Sequence, residues 1–209
     1  MSDTTYANYQ NFGTYASEIA QKGSNAYSNV KNAYDKIKSL NNPAGWRGEK
    51  YDGLVECFNN MVTDFNNIFS DLQYAIPKAL RNIAAQFASF DSSSFYEATA
   101  DADSLASIPA SGEKALTWTI SAVSAAKTEV ENKFKDAKDD VAAIKSVVQN
   151  MNSDWSGETY NDLLNKVTTY ESTVSKYFDQ LIADYAEYMS QAQAEFDSTE
   201  SSVKSAFQL

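Results

Sequence analysis

Apolar side chains return along this chain in alternating steps of three and four. Tyr9, Phe12, Ala16, Ile19, Gly23, Ala26, Val30, Ala33, Ile37 and Leu40 mark a first helix with a coiled-coil seam. Gly23 fits that seam where a partner backbone comes close. Leu54, Phe58, Met61, Phe65, Ile68, Leu72, Ile76, Ala79, Ile83 and Phe87 predict a second helix. Pro77 should kink it or begin a new segment, because proline supplies no N–H and clashes with the preceding turn. A third runs through Leu116, Ile120, Val123, Lys127, Val130, Phe134, Ala137, Val141, Ile144, Val148 and Met151, with Lys127 the one charged intruder. The fourth follows Tyr160, Leu163, Val167, Tyr170, Val174, Tyr177, Leu181, Tyr185, Tyr188, Ala192, Phe196, Val203 and Phe207. Positions between the seams are mostly Asn, Asp, Lys, Ser, Thr and Gln, as solvated faces require.

Stop signals fall between these runs. Asn41-Asn42-Pro43-Ala44-Gly45 ends the first helix and Asn152-Ser153-Asp154 the third. Short turns make consecutive helices antiparallel neighbours. The expected fold is all-α: two antiparallel hairpins closing into a four-helix bundle. Residues 1–90 form the first hairpin, 91–111 a linker with room for a short helix in its middle, and 112–209 the second hairpin.

The hairpins are copies of one unit. Trp46-Arg47-Gly48-Glu49 returns as Trp155-Ser156-Gly157-Glu158, and at the same offset Tyr51 matches Tyr160, Leu54 Leu163, Phe69 Phe178, Leu72 Leu181 and Phe87 Phe196. The chain then reads as a dimer fused end to end, a monomeric pseudo-dimer. In each copy the tryptophan caps the end of the bundle and the glycine permits the tight turn.

Composition narrows the function. The net charge of −11 is shared by both halves, with twelve acids against eight bases in residues 1–105 and sixteen against nine in 106–209. Such a surface repels phosphate backbones and anionic headgroups, so no nucleic acid is expected as partner. The uncharged stretch Ala115 to Ala126 is too short and too rich in Ser and Thr to span a bilayer. Met1-Ser2-Asp3-Thr4-Thr5-Tyr6 lacks the basic and apolar regions of a secretory signal. Cys57, the single cysteine, reads as a small, partly buried hydrophobe beside the second seam.

Catalytic and metal chemistry find little support. The chain has no histidine, which removes a His general base and a His-containing metal site. Glu49 and Glu158 each open a helix, where an acid suits the positive end of the dipole. Asp101-Ala102-Asp103 lacks the rest of a calcium loop, and no glycine-rich phosphate loop is present. The expectation is a non-enzyme with neither cofactor nor metal.

A Trp-x-Gly turn between two long helices, in a unit of about 100 residues, resembles the WXG family of small type VII secretion substrates. The turn residues are Trp46 and Gly48, then Trp155 and Gly157. The resemblance covers the whole chain, once per half. It implies a helical hairpin that dimerises antiparallel, secretion without a conventional leader, and recognition by a membrane-bound hexameric ATPase. The family also carries a C-terminal secretion signature of large hydrophobe, acid, aliphatic and large hydrophobe, which Phe196, Glu200, Val203 and Phe207 match. Phe stands where the stricter form has Tyr. The same three apolar residues would also be present if the core seam simply ran on. The corresponding positions of the first half, Phe87, Asp91, Ser94 and Ala98, keep only the first two features, as a degenerate copy would. Antiparallel geometry puts Trp46 near the tail and suggests that the two form one signal. Escort of a co-secreted protein, or binding to surfaces outside the cell, are the alternative roles.

Overall fold

The computed structural model describes Asn8, residues 11–88 and residues 104–207, the side chains of Phe87 and Ala88 excepted. Tyr9, the side chain of Phe87, Asp91, Ser94, Ala98 and the rest of the 91–103 stretch of the linker lie outside what it describes. The described chain is all-α apart from one minimal sheet. Helix α1 spans Phe12–Ser39, strand β1 Trp46–Arg47, α2 Glu49–Asn60, α3 Val62–Ser70, and α4 Ile76–Ala88 after a π-helical turn at Asp71–Ala75. Strand β2 is Thr117–Trp118, α5 is Ile120–Asn150 and α6 is Glu158–Phe207. None of the described helices is long and apolar enough to cross a membrane.

The compact units are not the two sequence halves. One comprises residues 1–29, 63–105 and 135–176; the other comprises 30–62, 106–134 and 177–209. Each therefore draws helix from both halves of the sequence. In the first, Phe12, Ala16, Ile19, Phe65, Phe69, Leu72, Val141, Ile144, Val167 and Val174 are buried. In the second, Phe58 stacks on Phe134 at 6.1 Å between ring centroids, and Phe134 on Phe178 at 4.3 Å. Tyr34 closes this core edge-on to Phe58 and donates its hydroxyl proton to the Phe58 carbonyl at 2.6 Å. Burying aromatics of this size contributes about 1.5–3 kcal/mol each.

The first seam is met in full over the described positions, including Gly23. A Cβ there would stand 2.8 Å from the Leu72 carbonyl carbon, so the helix surface is cut to zero where the π turn passes. That turn also explains the fate of the second seam. The Ile76 N–H reaches back to the Asp71 carbonyl, an i−5 bond, and Pro77, the second residue of α4, has no N–H with which to continue the ladder. The extra residue in the turn advances the buried face by one. Leu80 and Ala84 are buried, whereas Ala79 is exposed and Ile83 half-buried. On the fourth seam Phe178 is in the core and Tyr177 only half-buried.

The third helix starts later than its spacing suggests. Leu116 lies before α5, because Thr117 and Trp118 pair antiparallel with Arg47 and Trp46. Lys127 is not a core residue: Ala126 takes the buried position and Lys127 pairs with Glu131 on the surface. The described part of the linker, 104–111, carries no regular secondary structure. Leu105 and Ile108 are buried, and the Asn66 and Asn59 amides each exchange two hydrogen bonds with the peptide groups of Leu105 and Ile108 respectively. Asparagine side chains thus stand in for a neighbouring strand and satisfy the backbone of a chain that would otherwise bury it unpaired.

Candidate functional site

In the first Trp-x-Gly turn, the Trp46 N–H donates to the Leu40 carbonyl at 2.7 Å and the Thr119 N–H to the Gly45 carbonyl at 2.9 Å. Gly48 adopts φ 110°, which L side chains rarely accept, and its N–H donates to the Ser111 hydroxyl at 3.1 Å. The indole of Trp46 is 0% exposed. It meets Trp118 at 5.2 Å, Tyr185 at 5.9 Å and Tyr51 at 6.1 Å. Its Nε1 is buried without a hydrogen-bond partner. Trp46 is therefore a core residue of the second unit.

The second turn shares part of this pattern, though its tryptophan N–H reaches four residues back rather than six. Trp155 N–H donates to the Met151 carbonyl at 2.8 Å, and Asn8 N–H to the Asp154 carbonyl at 2.6 Å. Gly157 takes φ 122°. Trp155 packs against Tyr160 at 5.9 Å, as Trp46 does against Tyr51, and against Phe12 at 5.5 Å. It is 6% exposed. The second turn adds an acid. Asp154 accepts Tyr15 Oη at 2.6 Å, Asn11 Nδ2 at 2.7 Å and Asn8 Nδ2 at 3.3 Å. Hydrogen bonds from Tyr15 and Asn11 hold its carboxyl below the usual aspartate range, and the same bond pushes the Tyr15 phenol up. In the first turn Gly45 holds the equivalent position, so this clasp belongs to one copy.

Phe196, Glu200, Val203 and Phe207 lie on the last turns of α6, spaced four, three and four apart on one face. They are not core. Phe196 is 44% exposed, Val203 50% and Phe207 71%, and every residue from Ala194 to Phe207 is exposed. The seam that continued in sequence has left its packing partners behind. Glu200 pairs with Lys204 at 2.9 Å. The structure gathers these four residues with one another but keeps them apart from Trp46, which meets α6 at Tyr185 instead.

Cys57 is half-buried, and burial together with Asp184 pushes its thiol up to about 11. Such a thiol stays protonated and is a poor nucleophile. Among the described residues no group of three or more His, Cys, Asp or Glu side chains is placed to hold a metal ion.

Two features of the turns escape a reading of spacing alone. Trp118 belongs to no repeat, and its role as partner of Trp46 depends on β2 forming. Asp154 reads as a helix stop until Asn8, Asn11 and Tyr15 close on it. The seams of the first and third helices align at an offset of 111 residues, from Phe12 and Val123 to Leu40 and Met151, which equates Asn8 with Thr119. No family model, curated protein or solved structure matches the chain.

Proposed function

We propose that this chain is a fused, two-copy member of the WXG family, a non-enzymatic protein exported by a type VII secretion system. In this reading its helices form two antiparallel hairpins that complete a four-helix bundle within one chain. Matched hydrogen bonds at the two turns, offset consistently along the sequence, support that pseudo-dimer. The α6 tail is what the translocase ATPase engages. The observation that carries this reading is the exposed helical face of Phe196, Glu200, Val203 and Phe207, which no packing need accounts for. The Trp-x-Gly turns act behind it, by holding the folded ends in shape.

The test compares culture supernatants of producing cells with and without the translocase ATPase. Intact protein should reach the medium only with the ATPase present. Glu200→Ala and Val203→Ser should remain inside the cell while melting like the parent. Normal export of both variants would remove the tail from the signal. A second reading, escort of a co-secreted protein, is favoured by Ile120, which is 50% exposed and lines one groove with Ala194 and Asp197 of the tail.

A further inference from the structure

All four large apolar side chains left exposed among the described residues, Ile120, Phe196, Val203 and Phe207, stand in the second unit. Three are on α6, and the fourth opens α5. Between Ile120 and α6 lies an open groove of about 540 Å³, lined by Ile120, Lys127, Ala186, Met189, Gln193 and Asp197 among others. Lys127, Gln193 and Asp197 in its lining are already engaged. Lys127 pairs with Glu131, while Gln193 accepts the Trp118 indole N–H and donates to Asp197. The apolar floor is left without a partner. From that floor Met189, Gln193, Phe196, Glu200, Val203 and Phe207 continue at steps of four and three, a heptad seam on an exposed helix.

We propose that this strip docks one amphipathic helix of another protein, apolar along one seam and rich in Lys or Arg beside it. Heptad spacing selects a helix, since knobs at these positions interdigitate with a second 3.5-residue repeat and not with a period-two strand. Met189 to Phe207 covers about 27 Å, room for a partner of about five turns. Charge selects the flanks. Within Met189–Phe207 the acids Glu195, Asp197 and Glu200 outnumber the one base, Lys204, and the Lys127 of the groove wall is already paired with Glu131. Two copies of this strip would set acid against acid, which rules against self-pairing and in favour of a basic partner. Docking needs no secretion machinery and stands apart from the export reading.

The probe is a labelled synthetic helix of about three heptads, with Leu at the seam and Lys on its flanks. Fluorescence anisotropy with the full chain should show micromolar binding. Exchanging the flanking Lys for Glu should weaken it by about tenfold or more. Ile120→Ser and Met189→Ser should also weaken it about tenfold, with circular dichroism confirming that both stay folded. Neither substitution changes the net charge, so mere attraction of a basic peptide to an acidic protein would survive them. Equal binding by these variants, equal binding of the Glu-flanked peptide, or no binding at all would overturn the proposal. So would a self-dimer in sedimentation that Met189→Ser dissolves. If docking failed while ATPase-dependent export persisted, this strip would lose its partner and the export reading would stand.

Discussion

Trp46 and Trp118 meet edge to face, 5.2 Å between ring centroids at 78°, directly across the β1–β2 pair that joins the first Trp-x-Gly turn to the start of α5. One indole is completely buried and donates to nothing, while the other donates to Gln193 at 3.1 Å. Trp46→Ala should therefore destabilise the protein by about 3–5 kcal/mol, the usual cost of emptying a large aromatic site. Trp46→Phe should fall well short of that, because it also removes an orphan donor whose burial costs about 1–3 kcal/mol. Urea unfolding of both variants checks the difference. Equal losses would mean that the indole N–H is satisfied after all.

Gly23→Ala tests the close approach of α1 to the π turn. Helix propensity alone favours alanine by about 1 kcal/mol. The added Cβ would meet Leu72 backbone at 2.8 and 2.9 Å, and backbone cannot step aside cheaply. The expected result is a loss of about 1–3 kcal/mol, the cost of overpacking. At Gly53 an added Cβ would meet only the end of the Tyr188 side chain. Gly53→Ala should cost less, since that ring can rotate away. Calorimetric melting of the two variants gives the order.

These two sites show how far periodicity reaches. The α1 seam was readable from Phe12 to Leu40 because steps of three and four leave only one face to bury. The same rule misplaced α4 by one residue, since a π turn is invisible to a template that assumes 3.6 residues throughout. Leu116 was misread for a related reason: an apolar residue in phase with a helix cannot reveal that Thr117 and Trp118 will pair with a strand 70 residues away. The repeated turns were legible as motifs. Their partners were not, because Trp118 and Asp154 acquire their roles from contacts distant in sequence. The tail was ambiguous in sequence, since a signal and a core seam need the same apolar residues; exposure removes these residues from the core.

Asp154 should contribute to stability in acid. Its folded carboxyl titrates below the ordinary aspartate value, so the stabilisation is fully present above about pH 3.9 and is lost as pH falls below it. Protonation weakens the bonds from Tyr15, Asn11 and Asn8. Asp154→Asn should flatten the acid limb of the stability profile below that pH while lowering stability at neutrality. An unchanged acid limb in the variant would show that other carboxylates govern it.

At the alkaline end the order reverses. Burial raises the phenols of Tyr34, Tyr51 and Tyr185, each of which also donates to a carbonyl, of Phe58, Ile37 and Val123 respectively. The folded state holds these protons after the unfolded chain releases them. Their contribution is present below about pH 10 and is lost as pH rises beyond it. Spectrophotometric titration near 295 nm should show a late group of tyrosines ionising together with loss of helix. Smooth ionisation of all tyrosines in the folded protein would contradict their burial.

Removing residues 194–207 should leave the melting temperature nearly unchanged. Every residue in that stretch is exposed, and terminal turns without buried contacts hold little of the global stability. Substitutions there should stay within about 0.5 kcal/mol, as for other surface positions. Trp46→Ala gives the opposite profile: a large loss of stability, with any loss of export tracking the unfolded fraction. Plotting exported fraction against unfolding free energy separates the two cases. Tail variants should fall far below the line set by core variants, and Trp46→Ala should lie on it. If Trp46→Ala dropped off that line with the tail variants, its buried indole would have to become exposed during recognition, and the turn would be part of the signal.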